Sequence, residues 1–446
     1  MVKQPKYRKP EDTNKLWREL VDDLRTSEPL ELPAGWRGFS SFASFAVNGD
    51  SVTLTDDTAK RYFAVGRSLA REQAIANIAS RRYVEKALQP AVAQVIRHHE
   101  NGSLQDAPSY LESVRSSLLK GVRDWTAIIP VVGVRFDGLD SIALGDVRLV
   151  ACGSPEARVL RQQIEQAVQT HQSRFSMPGY DRFLKVLTAL GGKDWYAAVV
   201  AQVRGCDGQF AVDRGTGIAK EFMATLRVFA VAIWRRLIGF VGVADAVPTC
   251  VCSGVAFTLD GGWNGPRIEP DVPPPWVVIS HPVRQALQEL GWERLSEIWS
   301  KGDNNWKKAV RAAAHWLGMA MAEREPSVAF LHCATAQEML LLGRGEKEEI
   351  AKTLAERLAL VIAEKPQDRL QTYRQAKRLQ GIRSAIVHRG QTDVAEDDVS
   401  LMRGLSIACF FALLKRLAEI GSEKALIDMC EQAKFGVEPS TGRKTG

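Results

Sequence analysis

Long uncharged apolar runs are missing from this 446-residue chain. The most apolar stretch, Val228 to Val243, is flanked or interrupted by Arg227, Arg235 and Arg236. A membrane-spanning helix needs about 18 apolar residues free of such charges, so a buried helix is expected here and no membrane partner. The opening MVKQPKYRKP has no apolar core behind its basic residues and is not expected to act as a secretory leader. It reads instead as a solubilising basic tail. Cysteine is sparse and unpatterned: seven residues, an odd number, scattered from Cys152 to Cys430. That usage suits a reducing compartment in which thiols serve as small core residues, and a cytoplasmic location is expected. Cys250-Val251-Cys252 has no second ligand pair, which argues against zinc. Arg214-Gly215-Thr216-Gly217-Ile218-Ala219-Lys220 lacks the spacing of a phosphate loop and is expected to be a mobile turn. Clustered carboxylates, internal repeats and long low-complexity tracts are also missing, so no metal and no cofactor are expected.

What is present is an ordinary globular composition, 45% hydrophobic and 25% charged, with a formal net charge of +7. The length exceeds one core, and the mild basic excess permits a polyanionic partner without requiring one. Turn residues Asn48-Gly49-Asp50 precede the β-type run Ser51 to Thr55. Helical patterns follow from Ser68 to about His99 and from Pro108 to Lys120. Ile128 to Val134 and Val147 to Val150 read as a strand pair around a turn at Asp137 to Asp146. Residues 155–247 read as mostly helical, and Val251 to Ile268 as extended with a turn at Asp260-Gly261-Gly262. Pro273-Pro274-Pro275 can neither continue a helix nor sit inside a sheet, and marks the main domain boundary.

Beyond it the texture is nearly continuous helix. Apolar stripes are expected on Trp306, Val310, Ala313, Leu317 and Met321; on Leu331, Thr335, Glu338 and Leu342; and on Ile350, Leu354, Leu358 and Ile362. A fourth helix opens at Pro366, ends before Gly390 and turns Leu370, Tyr373, Ile382 and Ile386 inward. A fifth carries Leu401, Leu405, Ala408 and Ala412. The expected fold is an α-rich α+β protein: an N-terminal mixed α/β region, residues 1–150; a mostly helical middle, 151–269, with a strand pair near its end; and a C-terminal antiparallel helical bundle, 277–436.

One string carries chemistry: Gly381-Ile382-Arg383-Ser384-Ala385-Ile386-Val387-His388-Arg389-Gly390. It sets a permanent cation five residues ahead of an imidazole, which titrates near neutrality, at the close of a helix. The helix dipole favours positive charge at that end. An imidazole suits general acid–base work, and a guanidinium supplies fixed donors to phosphate oxygens. An Arg close to a His is common by chance, and a salt-bridging Arg with a capping His is the plain alternative. Five residues on a helix turn about 140°, so both side chains face one site only at a helix end or a distortion. Glu338 sits in an apolar helix, where an unpaired carboxylate is costly; an ion pair with Arg383 and a catalytic role are both open to it.

The C-terminal ~150 residues resemble the HEPN domain, a nucleotide-binding helical family, and are most similar to its Apea-like branch of bacterial antiviral defence proteins. The resemblance rests on Arg383, the polar Ser384, the apolar Ala385-Ile386-Val387, and His388, with Glu338 matching an acidic residue two helices earlier. Arg389 stands where the branch often has Gly, an added cation able to bind RNA. The resemblance implies a metal-independent endoribonuclease, a toxin of abortive infection. His388 would move the proton of the ribose 2′-hydroxyl, Arg383 would stabilise charge on the phosphoryl oxygens, and Ser384 would orient a phosphate or the His. It further implies a homodimer with two Arg–His sets around one cleft. The N-terminal region would then sense a phage-derived or nucleotide trigger, or restrain the nuclease. A HEPN module used only for binding or dimerisation is the alternative.

Overall fold

The computed structural model describes residues 12–26, 43–47, 50–54, 56–100, 107–170 and 197–234, the short strand segments at 242–243, 251–252, 255–257, 263–264 and 268–269, and residues 277–300, 304–343, 349–417 and 419–435. The basic tail, Cys250, the turn at Asp260-Gly261-Gly262 and the Pro273-Pro274-Pro275 boundary lie outside the described residues. The chain is helix-rich and forms two compact units: residues 1–126, 203–214 and 256–264 make the first, and residues 127–202, 215–255 and 265–446 the second. The sequence segments 1–150 and 151–269 do not map onto these units one to one. Among the described residues no helix is long and apolar enough to cross a membrane.

In the first unit, α1 (Thr13–Thr26) is followed by a hairpin of β1 (Ala43–Val47) and β2 (Asp50–Leu54), then α2 (Asp56–Leu69), α3 (Gln73–Ala76), α4 (Arg81–Glu100) and α5 (Ala107–Lys120). The hairpin is antiparallel, pairing Val47 with Asp50 at its turn end. Trp17 and Leu20 of α1, Leu69 of α2, Leu88 of α4 and Leu111 of α5 share one core. The helix expected from Ser68 to His99 is interrupted. α2 stops at Leu69 and α4 starts afresh at Arg81, because Ser80 caps it: the Ser80 hydroxyl accepts from the Tyr83 amide at 3.2 Å and donates to Asp207 at 2.9 Å.

The strands that follow are β3 (Arg123–Val132), β4 (Val134–Phe136), β5 (Ser141–Leu144), β6 (Val147–Ala151) and, after α6 (Pro155–Thr170), β7 (Ala197–Gly205). β3, β7, β6 and β5 lie side by side in that order. The expected pairing of the 128–134 and 147–150 runs is therefore corrected: β7, distant in sequence, lies between them. The expected turn from Asp137 to Asp146 contains β5, which pairs antiparallel with β6. The described part of 155–247 is mostly helical, with β7 an unexpected strand within it.

α7 (Gly208–Trp234) runs straight through the tetrapeptide Arg214-Gly215-Thr216-Gly217, so no mobile turn exists there. Gly215 is in the helix for a packing reason: a Cβ added to it would lie 2.5 Å from the Cβ of Ala127. Short strands β8 (Gly242–Val243), β9 (Val251–Cys252), β10 (Val255–Phe257), β11 (Trp263–Asn264) and β12 (Ile268–Glu269) come next, then β13 (Val277–Ile279), which pairs parallel with β4.

The remaining helices are α8 (His281–Glu289), α9 (Trp292–Ser300), α10 (Asn305–Ala322), α11 (Pro326–Leu341), α12 (Ile350–Ile362), α13 (Pro366–Arg389), α14 (Glu396–Lys415) and α15 (Glu423–Lys434). Three-residue connections fold α11 back on α10 and α13 back on α12, while α14 packs on α10, α11 and α12. α7 belongs to the same core. Phe229 makes edge contacts with Trp292, Phe410 and Phe411, its ring centroids 5.1, 6.5 and 5.1 Å away respectively. Such a cluster buries much apolar area around one residue. The expected stripe on Trp306, Val310, Ala313, Leu317 and Met321 is buried throughout. Cys333 and Cys409 are fully buried, and burial pushes the Cys333 thiol up to about 12.

Three other stripes are corrected. The inward side of α11 carries Phe330, Cys333, Ala334, Gln337 and Leu341, while Leu331, Thr335, Glu338 and Leu342 are half-buried. α13 buries Ala376, Leu379, Gln380 and Ala385, and Leu370 is 50% exposed. α14 buries Met402, Ser406, Cys409 and Leu413, leaving Ala408 exposed. In each case the buried side includes a polar residue in mid-helix, Gln337, Gln380 or Ser406.

Those three residues meet. The Gln337 amide donates to the Ser406 hydroxyl at 2.8 Å, the Gln380 amide donates to the Gln337 carbonyl at 3.5 Å, and the Ser406 hydroxyl donates to the Met402 carbonyl at 2.7 Å. All three are at most 5% exposed. A buried polar group stripped of its partner costs about 1–3 kcal/mol. Gln337→Leu, which orphans the Gln380 amide, is therefore expected to lower stability by about 2 kcal/mol in urea denaturation. The pair Gln337→Leu with Gln380→Leu should recover part of that loss. A single variant as stable as the parent would show the row to be idle.

Candidate functional site

α13 forms where its signals place it. Pro366 takes the first turn, where its missing N–H costs nothing, and Gly390 ends the helix in the left-handed region at φ 67°, its N–H reaching the Ile386 carbonyl at 3.2 Å. The helix stays regular through Arg389, so Arg383 and His388 leave it about 140° apart around the axis. Arg383 turns toward α11. Its Nη2 lies 2.9 Å from Oε1 of Glu338, with side chains 32% and 27% exposed. The ion pair that the sequence leaves open for Glu338 is thus formed, beside the buried Gln337 row.

Ser384, His388 and Arg389 are exposed, and Val387 is 48% exposed. The arrangement therefore joins Arg383 with Glu338, and sets Ser384, His388 and Arg389 in solvent apart from that pair. A half-buried guanidinium with one donor engaged keeps others for an anion, since the group has five N–H donors. An exposed imidazole at a helix end can exchange protons with a bound molecule.

A second titratable cluster was not legible in the sequence. His315 and Trp316 on α10 and His332 on α11 form a ring cluster: the Trp316 centroid is 6.2 Å from that of His315, edge-on, and 5.1 Å from that of His332, tilted. The Nδ1 atoms of both histidines are buried without a hydrogen-bond partner. Burial is the leading cause that lowers both imidazoles below 6.5. Glu221 opposes it and Arg227 adds to it at His315, while Glu323 opposes it and His315 adds to it at His332. Burial favours the neutral form of each ring. The unfolded chain takes up protons first as pH falls, so this contribution is complete above 6.5 and is lost as pH drops through the lower folded values. Urea midpoints should fall across that window, and His315→Gln and His332→Gln should each flatten the slope. An unchanged slope in both variants would remove the pair from the pH response.

Among the described residues, no group of three or more His, Cys, Asp or Glu side chains is placed to share a metal ion. A cleft of about 360 Å³ lies where α8 and α9 meet β5, bordered by Ala143, Arg284 and Trp292; the Trp292 indole donates to the Ala143 carbonyl at 2.6 Å. Arg284 and Glu293 are its charged lining residues. No protein-family model matches the chain, no curated protein matches it in sequence, and no solved structure matches it in fold.

Proposed function

We propose that this chain is a metal-independent endoribonuclease of the HEPN type, its C-terminal helices an antiparallel bundle that carries the reactive groups. The reading rests on one observation: an Arg and a His five residues apart on the closing turns of α13, the His in solvent and the Arg held by a carboxylate from α11. His388 takes the proton from a ribose 2′-hydroxyl as its oxygen attacks the adjacent phosphorus. The bond from phosphorus to the 5′-oxygen breaks, and that oxygen takes up a proton from solvent water, the proton on His388 returning to solvent. The products carry a 2′,3′-cyclic phosphate and a 5′-hydroxyl. Arg383 neutralises charge on the phosphoryl oxygens, Ser384 and Arg389 hold neighbouring phosphates, and Glu338 fixes the guanidinium.

The angle of about 140° between Arg383 and His388 favours a site shared by two copies, each supplying one group. A homodimer through the C-terminal helices would do this. The N-terminal region would then sense a phage-derived or nucleotide trigger in cytoplasmic antiphage defence, since an unrestrained nuclease harms its host.

The Arg383–Glu338 ion pair also favours a second reading, a HEPN module that binds or dimerises without cutting, because the pair explains Arg383 without RNA. Purified protein with total RNA in EDTA separates the two. Cleavage by the parent and none by His388→Ala supports the nuclease. Intact RNA with both, in extracts of infected and of uninfected cells, supports the binding module.

A further inference from the structure

α13 holds six cations, Arg369, Arg374, Lys377, Arg378, Arg383 and Arg389, against the single carboxylate Asp368. That excess of five is most of the chain's net +7. Three of the cations are engaged: Arg369 donates to the Ala363 carbonyl, Arg378 pairs with Asp398 at 2.6 Å, and Arg383 pairs with Glu338. Arg374, Lys377 and Arg389 are exposed, and Lys377 rests 5.8 Å from the Tyr373 ring.

Arg374, Lys377, Gly381, Ser384 and His388 are all exposed. Their spacing keeps them within about 80° of arc over about 21 Å of helix. They form one ridge that ends at His388. Gly381 sits midway, and a Cβ there would meet nothing within 4 Å, so the ridge dips to bare backbone between the cations and the serine. Such a dip lets another chain come close.

We infer that this ridge is a binding track for the phosphodiester backbone of single-stranded RNA, with Arg374 and Lys377 gripping phosphates upstream of the strand that reaches His388. The choice of RNA over another polyanion rests on the reading proposed above; the track itself rests on charge, exposure and spacing. Lysine and arginine on one helix face neutralise phosphates and release counterions, which gives binding with a steep salt dependence and little sequence preference.

The test is fluorescence anisotropy of the full-length chain with a short labelled 2′-O-methyl RNA, which cannot undergo 2′-hydroxyl attack, so binding is read apart from cleavage. Arg374→Glu with Lys377→Glu should weaken binding about tenfold or more at low salt and make the salt slope shallower by about 1 to 2. Gly381→Glu, which sets a carboxylate in the dip, should weaken it as well. A matched control, Arg158→Glu with Lys424→Glu, makes the same charge change at exposed positions off the helix and should leave affinity within about twofold of the parent.

Absence of binding by the parent, unchanged affinity in both ridge variants, or an equal loss in the control would each overturn the track. Helicity by circular dichroism checks that the variants fold. Ridge-dependent binding of a 2′-hydroxyl RNA that is never cut would retain the track and remove the nuclease. Cutting that ignores the ridge variants would do the reverse.

Discussion

His388→Ala is expected to reduce RNA cleavage by about a hundredfold or more, the usual worth of one general acid–base group. The imidazole is exposed on the last turn of α13, so its loss removes no packing and should leave the melting temperature unchanged. Arg383→Ala should cost as much cleavage but behave differently in stability. It also breaks the 2.9 Å pair with Glu338, a half-exposed interaction worth about 1 kcal/mol or less. Arg383→Lys keeps the charge but loses the planar fork, and should recover only part of the activity. Glu338→Gln separates positioning from chemistry. If the carboxylate only fixes the guanidinium, the pH profile of cleavage keeps its shape while the rate falls. Full activity in His388→Ala would leave the imidazole without a chemical role.

The largest stability effect is expected at Gly318. A Cβ added there would lie 2.1 Å from the Ala224 carbonyl oxygen and 2.4 Å from the Ala224 Cα, both backbone atoms of α7. No side chain can rotate away, so α7 and α10 would have to separate. The Gly318 carbonyl also accepts from the buried Arg227 guanidinium at 3.2 Å, and separation would strain that bond. Overpacking of this kind costs about 1–3 kcal/mol where side chains can yield and more where backbone is opposed. Ala regains up to about 1 kcal/mol over Gly in helix propensity. Gly318→Ala should therefore lose about 3 kcal/mol in urea denaturation. Gly217→Ala, in α7 with nothing within 4 Å of the added atom, should be neutral or stabilising by up to about 1 kcal/mol. Equal stability of the two variants would contradict the close crossing.

Much of the fold near the site was legible because its signals are local. Pro366 and Gly390 bound α13, and the Trp306 to Met321 stripe marks the buried face of α10. The inner faces of α11, α13 and α14 were not legible. α11 and α14 are apolar on several sides and α13 has few apolar residues, and each places a polar residue inward because Gln337, Gln380 and Ser406 satisfy one another. Periodicity reads such a position as outward, which shifts the inferred face by about one residue, or 100°. β7 is not legible because the run Ala197 to Ala201 is continuously apolar and does not alternate, as in a buried helix. The Arg214 to Gly217 stretch suggests a turn because glycine reads as a breaker, whereas Gly215 serves a close contact with Ala127. The residues of the candidate site were readable as a string. Their division into an ion-paired Arg383 and a solvent-facing His388 was not, since it depends on α11 presenting Glu338.

The most direct test of the proposal is end-group analysis on two matched oligonucleotides in EDTA, one all-ribose and one with a deoxyribose at the nucleotide 5′ to the scissile bond. The account predicts that the parent cuts only the ribose strand, leaving a 2′,3′-cyclic phosphate and a 5′-hydroxyl. Cleavage of the deoxy-substituted strand at that bond, or products with 5′-phosphate ends, would contradict it.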